Sequence, residues 1–259
     1  MILLVGAGHM GGALLKGWLD SGMSNVAVVE PQPMRKRAGV TRFKTIEDAA
    51  GRYDACVVAL KPQVLKTEAA RLKPVAESGA LMISIAAGTT IKSLVKAWGR
   101  KARIVRAMPN LPGQIGKGIS GLYAGPNVTA KDKKRAQSLL AALGETVWVS
   151  REGLIDSVTA VSGSGPAYVF LLVEALAAAG EKVGLPRADA MLLARATITG
   201  AGALLEADTR AASDLRIGVA SPGGTTEAAL KVLMAKDGLA KLMARAVAAA
   251  NKRAKELGS

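Results

Sequence analysis

Over the first 150 residues, short apolar runs rich in Val, Ile and Leu alternate with stretches whose apolar positions recur at helical spacing. Strands are expected at residues 2–5, 26–30, 54–60, 80–85, 103–108 and 146–150, and helices at 10–21, 63–77, 91–98 and 130–143. Such alternation is the pattern of a parallel sheet covered on both faces. After Arg151 the strand pattern stops, and long Ala/Leu stretches predict helices at 166–183, 187–206, 225–235 and 239–257. The expected fold is α/β: a doubly wound domain over residues 1–151, then an all-α domain over 152–259.

Local chemistry places the helical boundaries. Pro166 suits a first helical turn, Gly184 and Pro186 stop that helix, and Gly238 separates the last two. Small residues crowd this half, as in Gly200-Ala201-Gly202-Ala203, which lets helix backbones approach but leaves shallow apolar faces. A second copy of the chain is the expected partner for those faces. The polar stretch 251–256 is expected to fray.

Composition then narrows the class. The single cysteine, Cys56, sits in strand-like sequence and forms no intrachain disulfide, and the single histidine, His9, leaves metal clusters and a Ser-His-Asp triad without enough parts. No metal site is expected. The formal charge is +15, but only 3% of residues are aromatic and the basic residues are mostly scattered. That favours a solvated basic surface over a nucleic-acid face. No apolar run is read as approaching the roughly 20 residues of a membrane span, and a strand starting at residue 2 leaves no room for a signal peptide. The expectation is a cytoplasmic protein without a membrane.

The first strand feeds directly into Gly6-Ala7-Gly8-His9-Met10-Gly11 and a helix. In that context the pattern is a dinucleotide site: Gly6 permits the tight turn, Gly8 lets the main chain approach a pyrophosphate, Gly11 lets the helix pack on the strand, and the helix-start N–H groups face the anion. Glu30 ends the second strand about 20 residues beyond Gly11, where a carboxylate can hold a ribose hydroxyl of NAD. Arg35, Lys36 and Arg37 follow and could neutralise the 2′-phosphate of NADP. The sequence leaves NADH and NADPH both open.

Later strand exits carry further candidates. Ala59-Leu60-Lys61-Pro62 forces a sharp turn, Ala86-Ala87-Gly88 makes room for a flat ring, and prolines 109 and 112 stiffen the loop at Asn110, whose backbone carbonyls could meet a carboxamide. In the helical half, Ser162-Gly163-Ser164-Gly165 reads as a tight turn launching a helix. Ser221-Pro222-Gly223-Gly224-Thr225-Thr226-Glu227 opens another helix, and the N–H groups of Gly224, Thr225 and Thr226 are expected to be unsatisfied and ready for a carboxylate. Gly116-Lys117 is not a phosphate loop, because residue 111 is Leu and residue 118 is Gly.

Taken in order, GAGHMGGALLKGWL, ALKPQ, SIAAG, RAMPNLPG, SGSGPAY and SPGGTT resemble the pyrroline-5-carboxylate reductase family over nearly the whole chain. The resemblance implies a Rossmann domain, a helical dimerisation domain interleaved with that of a second subunit, and homodimers assembled into a higher oligomer such as a decamer. It implies NADPH or NADH at Gly6, Ala7, Gly8, His9, Met10, Gly11, Glu30, Arg35, Ala59, Leu60, Lys61, Pro62, Ala86, Ala87, Gly88 and Asn110. The carboxylate of 1-pyrroline-5-carboxylate would lie on Ser221, Gly223, Gly224 and Thr225. Thr226 would orient the imine and help supply its proton, with Glu206 nearby. The chain departs from the family at His9, Leu60, Leu111 and Glu30. A β-hydroxyacid dehydrogenase would show a lysine shortly after the glycine pair, where this chain has Pro166-Ala167-Tyr168-Val169-Phe170. An F420-dependent reductase has no evident use for SPGGTT, and a non-catalytic nucleotide-binding protein leaves the anion site unexplained.

Overall fold

The computed structural model describes residues 1–258. Eight strands form one sheet: β1 (Ile2–Val5), β2 (Val26–Val29), β3 (Val40–Phe43), β4 (Ala55–Val58), β5 (Leu81–Ser84), β6 (Arg103–Met108), β7 (Gly118–Ala124) and β8 (Gly144–Trp148). Their order is β3-β2-β1-β4-β5-β6-β7-β8. All neighbours are parallel except β6 and β7. The parallel sheet expected from the sequence thus spans β1 to β6, while β7 and β8 run the opposite way, and β3 and β7 are additional to the six strands expected.

The central strands are covered on both sides, so they read as continuous apolar runs. Helices α1 (His9–Asp20) and α5 (Ala130–Leu140) cover one face, where Leu14, Leu15, Trp18 and Leu139 pack on Leu4, Val28 and Val57. The other face is covered by α2 (Pro62–Glu68), α3 (Lys73–Glu77) and α4 (Ile91–Trp98), with Leu65, Leu72, Leu94 and Trp98 against Leu3, Cys56 and Met82. Each layer buries one indole with its N–H satisfied: Trp18 donates to the Leu139 carbonyl at 2.7 Å, and Trp98 to that of Ala69 at 2.9 Å. The single helix expected at 63–77 is broken by a 3-10 segment, Ala69–Leu72. Pro74 supplies the reason, since it lacks an N–H and its ring collides with the carbonyl four residues back.

Beyond β8, α6 (Leu154–Val158) runs into a π-helical turn, Thr159–Gly163, and then α7 (Gly165–Lys182). The tight turn expected at Ser162 to Gly165 is therefore a widened helical one. Thr159 and Ser162 donate their hydroxyls to the carbonyls four residues back, which loosens the helical ladder.

Two compact units result, one of Met1–Ser164 plus the chain from Ala250 onward, the other Gly165–Ala249. The second holds α7, α8 (Arg187–Ala207), α9 (Ala212–Val219), α10 (Thr225–Leu233) and most of α11 (Leu239–Gly258). Gly180 lets α7 and α8 close into a hairpin, because a Cβ there would lie 3.3 Å from that of Ala190. This unit has almost no core of its own: its buried apolar side chains are Ala177, Ala190 and Ala194, while Phe170 is 54% exposed, Leu192 67% and Val232 73%. The expectation of a frayed end at 251–256 is also corrected, since α11 continues to Gly258 and buries Ala254.

Leu154–Lys182 and Arg187–Ala207 are long and apolar enough to cross a membrane by length and composition. This corrects the expectation that no apolar run approaches the length of a membrane span. Glu174 and Arg195 interrupt those runs without removing the average hydropathy.

Candidate active site

The strand order reverses on either side of β1, so a crevice opens at the carboxyl ends of β1 and β4. The glycine loop fills it with backbone alone. Gly6 has φ +91°, and a Cβ on it would lie 2.9 Å from the Ala59 carbonyl oxygen; one on Gly11 would lie 2.0 Å from the carbonyl of Gly6. No side chain fits at either place. Gly8, by contrast, is exposed and a Cβ there would meet nothing within 4 Å. Gly8 also caps α1 without any side-chain bond to its N–H groups, leaving the positive helix end open to an anion. His9 is exposed in the first turn and Met10 is half-buried.

Glu30, just past β2, turns its carboxylate toward two main-chain donors. One carboxylate oxygen accepts the Ala7 N–H at 2.8 Å and the other the Gln32 N–H at 3.0 Å. An open cavity of about 340 Å³ lies alongside, lined by Ala7, Gly8, Gly12, Glu30, Arg35 and Arg37. A neighbouring one of about 470 Å³ gathers Arg35, Lys36, Arg37 and Arg42. Arg42 was not among the sequence candidates. It reaches the site because β3 pairs with β2, and its guanidinium donates to the carbonyls of Glu30 and Pro31 at 2.9 and 2.8 Å. These residues fit a phosphorylated dinucleotide: bare backbone for a pyrophosphate, and cations beyond it.

The other strand exits lie along the same sheet edge. Lys61 is extended (ψ 146°) before Pro62 opens α2, as expected of a residue preceding proline. Ala86 is buried and Gly88 takes φ +66°. The Asn110 side-chain carbonyl accepts the Ile119 N–H at 2.9 Å, which ties the loop to β7, and its main-chain carbonyl accepts the Gly113 N–H at 3.0 Å. Behind the loops, Arg106 is almost fully buried and pairs with Glu152 at 3.1 Å and Asp156 at 3.6 Å, while Glu152 also accepts the Ile91 N–H at 2.7 Å. This brace was missed from sequence because its two halves lie some 46 residues apart.

In the helical unit, Gly223 takes φ +71° and Gly224 caps α10. The expectation of three unsatisfied donors is corrected at Gly224, whose N–H donates to the Ser221 carbonyl at 3.0 Å. The first intrahelical bond is that from Ala228 to Gly224, so the N–H groups of Thr225, Thr226 and Glu227 belong to the open first turn. The Glu227 carboxylate accepts the Gly223 N–H at 2.6 Å and pairs with Lys231 at 3.0 Å. The Gly223 bond, then Lys231, holds its carboxyl below the ordinary glutamate range. A Cβ on Gly224 would lie 2.6 Å from the Ser221 hydroxyl and 3.0 Å from its carbonyl oxygen, so a side chain there would crowd the bend. Ser221, Gly223 and Thr225 are exposed, Thr226 is half-buried, and Glu206 lies exposed in the last turn of α8. Among the described residues no three His, Cys, Asp or Glu side chains are grouped to hold a metal.

Two protein families match the chain in tandem. Residues 1–88 match the coenzyme F420-dependent NADP oxidoreductase family, and residues 152–257 the pyrroline-5-carboxylate reductase dimerisation family. The chain is 39% identical to a pyrroline-5-carboxylate reductase of Pseudomonas aeruginosa, covering 99% of this chain and 96% of that one, and 35% identical to one of Pisum sativum over 98% and 94%. The solved structure of such a reductase from Coxiella burnetii superposes with a TM-score of 0.94 at 36% identity, covering 100% of this chain and 98% of the other. That of Plasmodium falciparum, with NADP bound, gives 0.83 at 31% over 100% and 98%. With a bare-backbone nucleotide crevice, a glycine-built helix start and full-length likeness of this degree, the chain belongs to the pyrroline-5-carboxylate reductase family of NAD(P)H-dependent oxidoreductases.

Proposed function

We propose that this chain reduces the cyclic imine of 1-pyrroline-5-carboxylate to L-proline with NADPH in preference to NADH, using the loops described above. The observation that carries the nucleotide preference is the pairing of a preoccupied carboxylate with free cations. Glu30 already accepts two main-chain N–H groups, while Arg35, Lys36 and Arg37 line the cavity beyond it. A 2′-phosphate would gain charge-assisted bonds there.

When bound, the reduced nicotinamide supplies the hydride. Gly6, Ala7, Gly8, His9, Met10 and Gly11 would hold the pyrophosphate on backbone donors; Ala59, Leu60, Lys61, Pro62, Ala86, Ala87, Gly88 and Asn110 would shape the ring end. Ser221, Gly223, Gly224 and Thr225 would form the carboxylate bend, with the first-turn N–H groups of Thr225 and Thr226 as donors. The Thr226 hydroxyl would orient the imine nitrogen and help pass it a proton, with Glu206 near that pocket. A protonated imine is already electrophilic, so catalysis rests chiefly on holding two carbons in contact in a dry, oriented pair.

The exposed apolar faces of α7 and α8 support a homodimer, and we extend this to a higher assembly such as a decamer. The groove between these helices carries Glu174 and Arg195 beside Phe170 and Met191. A mixed face of this kind suits another protein chain better than lipid, which supports a cytoplasmic enzyme without a membrane or nucleic-acid partner. The deciding assay supplies 1-pyrroline-5-carboxylate with NADPH and with NADH and follows nicotinamide absorbance. Nucleotide oxidation that does not depend on the imine would overturn the reading, and sedimentation of the intact protein tests the assembly.

A further inference from the structure

The end of α11 leans on the loop that follows β5. A Cβ on Gly88 would lie 2.9 Å from the Leu257 carbonyl oxygen and 3.4 Å from the Leu257 Cβ, and a Cβ on Gly258 would lie 3.8 Å from the Gly88 carbonyl oxygen and from a Thr90 methyl. This loop is weakly supported by its own bonds. The Ala86 N–H reaches the Ser84 hydroxyl only at 3.4 Å, and the Thr89 hydroxyl the Ala87 carbonyl only at 3.5 Å. Its far end is firm, because Glu152 accepts the Ile91 N–H at 2.7 Å. The apex at Gly88 is therefore the part without an internal brace, and it is where the helix end rests.

Charge favours the same docking. The last carbonyls of a helix have no intrahelical partner and carry the negative end of its dipole. Lys66, Lys92, Lys96 and Arg100, against the one carboxylate of Glu152, line the same cavity as Leu257 and Gly258, so positive charge prevails beside that end. The helix begins in the unit of residues 165–249 and ends in the sheet-containing unit.

We propose that Leu257 and Gly258 are positioning residues: the end of α11 fixes the apex of the 86–88 loop and through it the ring end of the bound nucleotide. The inference rests on the reading that this loop flanks the cofactor, and the experiment separates the two. Three chains are compared with the wild type: Gly88→Ala, a chain ending at Glu256, and the two changes combined. Melting temperature is recorded with KM for NADPH and kcat.

Removing the helix end raises KM for NADPH about tenfold, equivalent to ~1.4 kcal/mol of lost binding, with a retained cooperative melt. Gly88→Ala raises it too, and the combined chain is less impaired than the product of the single effects, because both disturb one contact. An unchanged KM in the shortened chain, with a raised KM in Gly88→Ala, overturns the positioning role and leaves the loop reading intact. Unchanged values in all three chains overturn the loop reading itself. Should the shortened chain fail to melt cooperatively, Leu257→Gly, which loosens the last turn while keeping the chain length, decides the matter: a wild-type KM there overturns the proposal.

Discussion

Glu30 holds the Ala7 main-chain N–H at 2.8 Å, so the acidic residue ending β2 braces the glycine loop following β1. Removing that carboxylate loosens the loop for every nucleotide. Glu30→Ala is expected to raise KM for NADPH and NADH in similar proportion, by about fivefold, the worth of one hydrogen bond near 1 kcal/mol. A change confined to NADH would show that Glu30 serves as a ribose ligand instead.

Arg35 separates the two cofactors. It lines both cavities beyond Glu30 and makes no contact that braces the loop among the hydrogen bonds described. Arg35→Ala should raise KM for NADPH about tenfold, the size of one charge-assisted phosphate contact, and leave that for NADH nearly unchanged. Equal effects on both would place the phosphate elsewhere.

Thr226 stands in the open first turn of α10, half-buried, with its hydroxyl in no helix-capping bond. Thr226→Ala is expected to lower kcat at least about tenfold while KM for NADPH stays within about twofold, since the lost group acts on the imine and not on the nucleotide. An unchanged kcat removes Thr226 from the chemistry.

The bend at residues 221–226 has its own pH response. The Gly223 N–H, and after it Lys231, keep the Glu227 carboxyl below its ordinary value of 4.5. A depressed folded value means the stabilisation is complete above the ordinary value and disappears as pH falls through the depressed one. KM for the imine should therefore rise only on acidification below pH 4.5, and Glu227→Gln, uncharged at every pH, should show a raised KM already at neutral pH with no further rise from this group. A rise beginning near neutrality would point to a different group.

Asp132 illustrates stability without function. It is buried, and although burial opposes its charge, hydrogen bonds from Thr129 and the Arg103 guanidinium at 2.6 Å win and hold its carboxyl below the ordinary range. It also closes a reciprocal cap with Thr129 at the start of α5. Asp132→Ala should cost about 2 kcal/mol in urea unfolding, with kcat/KM preserved in the folded protein.

The elements that sequence reasoning found are those whose own residues carry the signal. Residues 91–98 are helical over the expected span because apolar positions repeat on one face and Thr90 caps them. What it missed depends on distant partners. β3 is an edge strand with Thr41 exposed, so no alternation marks it. β7 contains Gly118 and Gly121, which weaken any strand signal, yet Gly121 is needed because a Cβ there would lie 2.6 Å from a Val158 methyl carbon. Helix α9 buries none of its residues within the chain and so shows no core face. At the site, the glycine pattern announced a nucleotide crevice, but the fate of individual N–H groups did not follow from it. Gly224 spends its donor on the Ser221 carbonyl, and the Asn110 side-chain carbonyl accepts the Ile119 N–H, because bends close on themselves before they meet a ligand.

The chain's three tryptophans, Trp18, Trp98 and Trp148, all precede residue 150, and the first two lie sealed on opposite faces of the sheet. Tryptophan fluorescence thus watches either face of the nucleotide-binding sheet alone once Trp148 and the opposite indole are replaced by phenylalanine. The unit of residues 165–249 holds no tryptophan and a single tyrosine, Tyr168, so its melting or dissociation is better followed by circular dichroism.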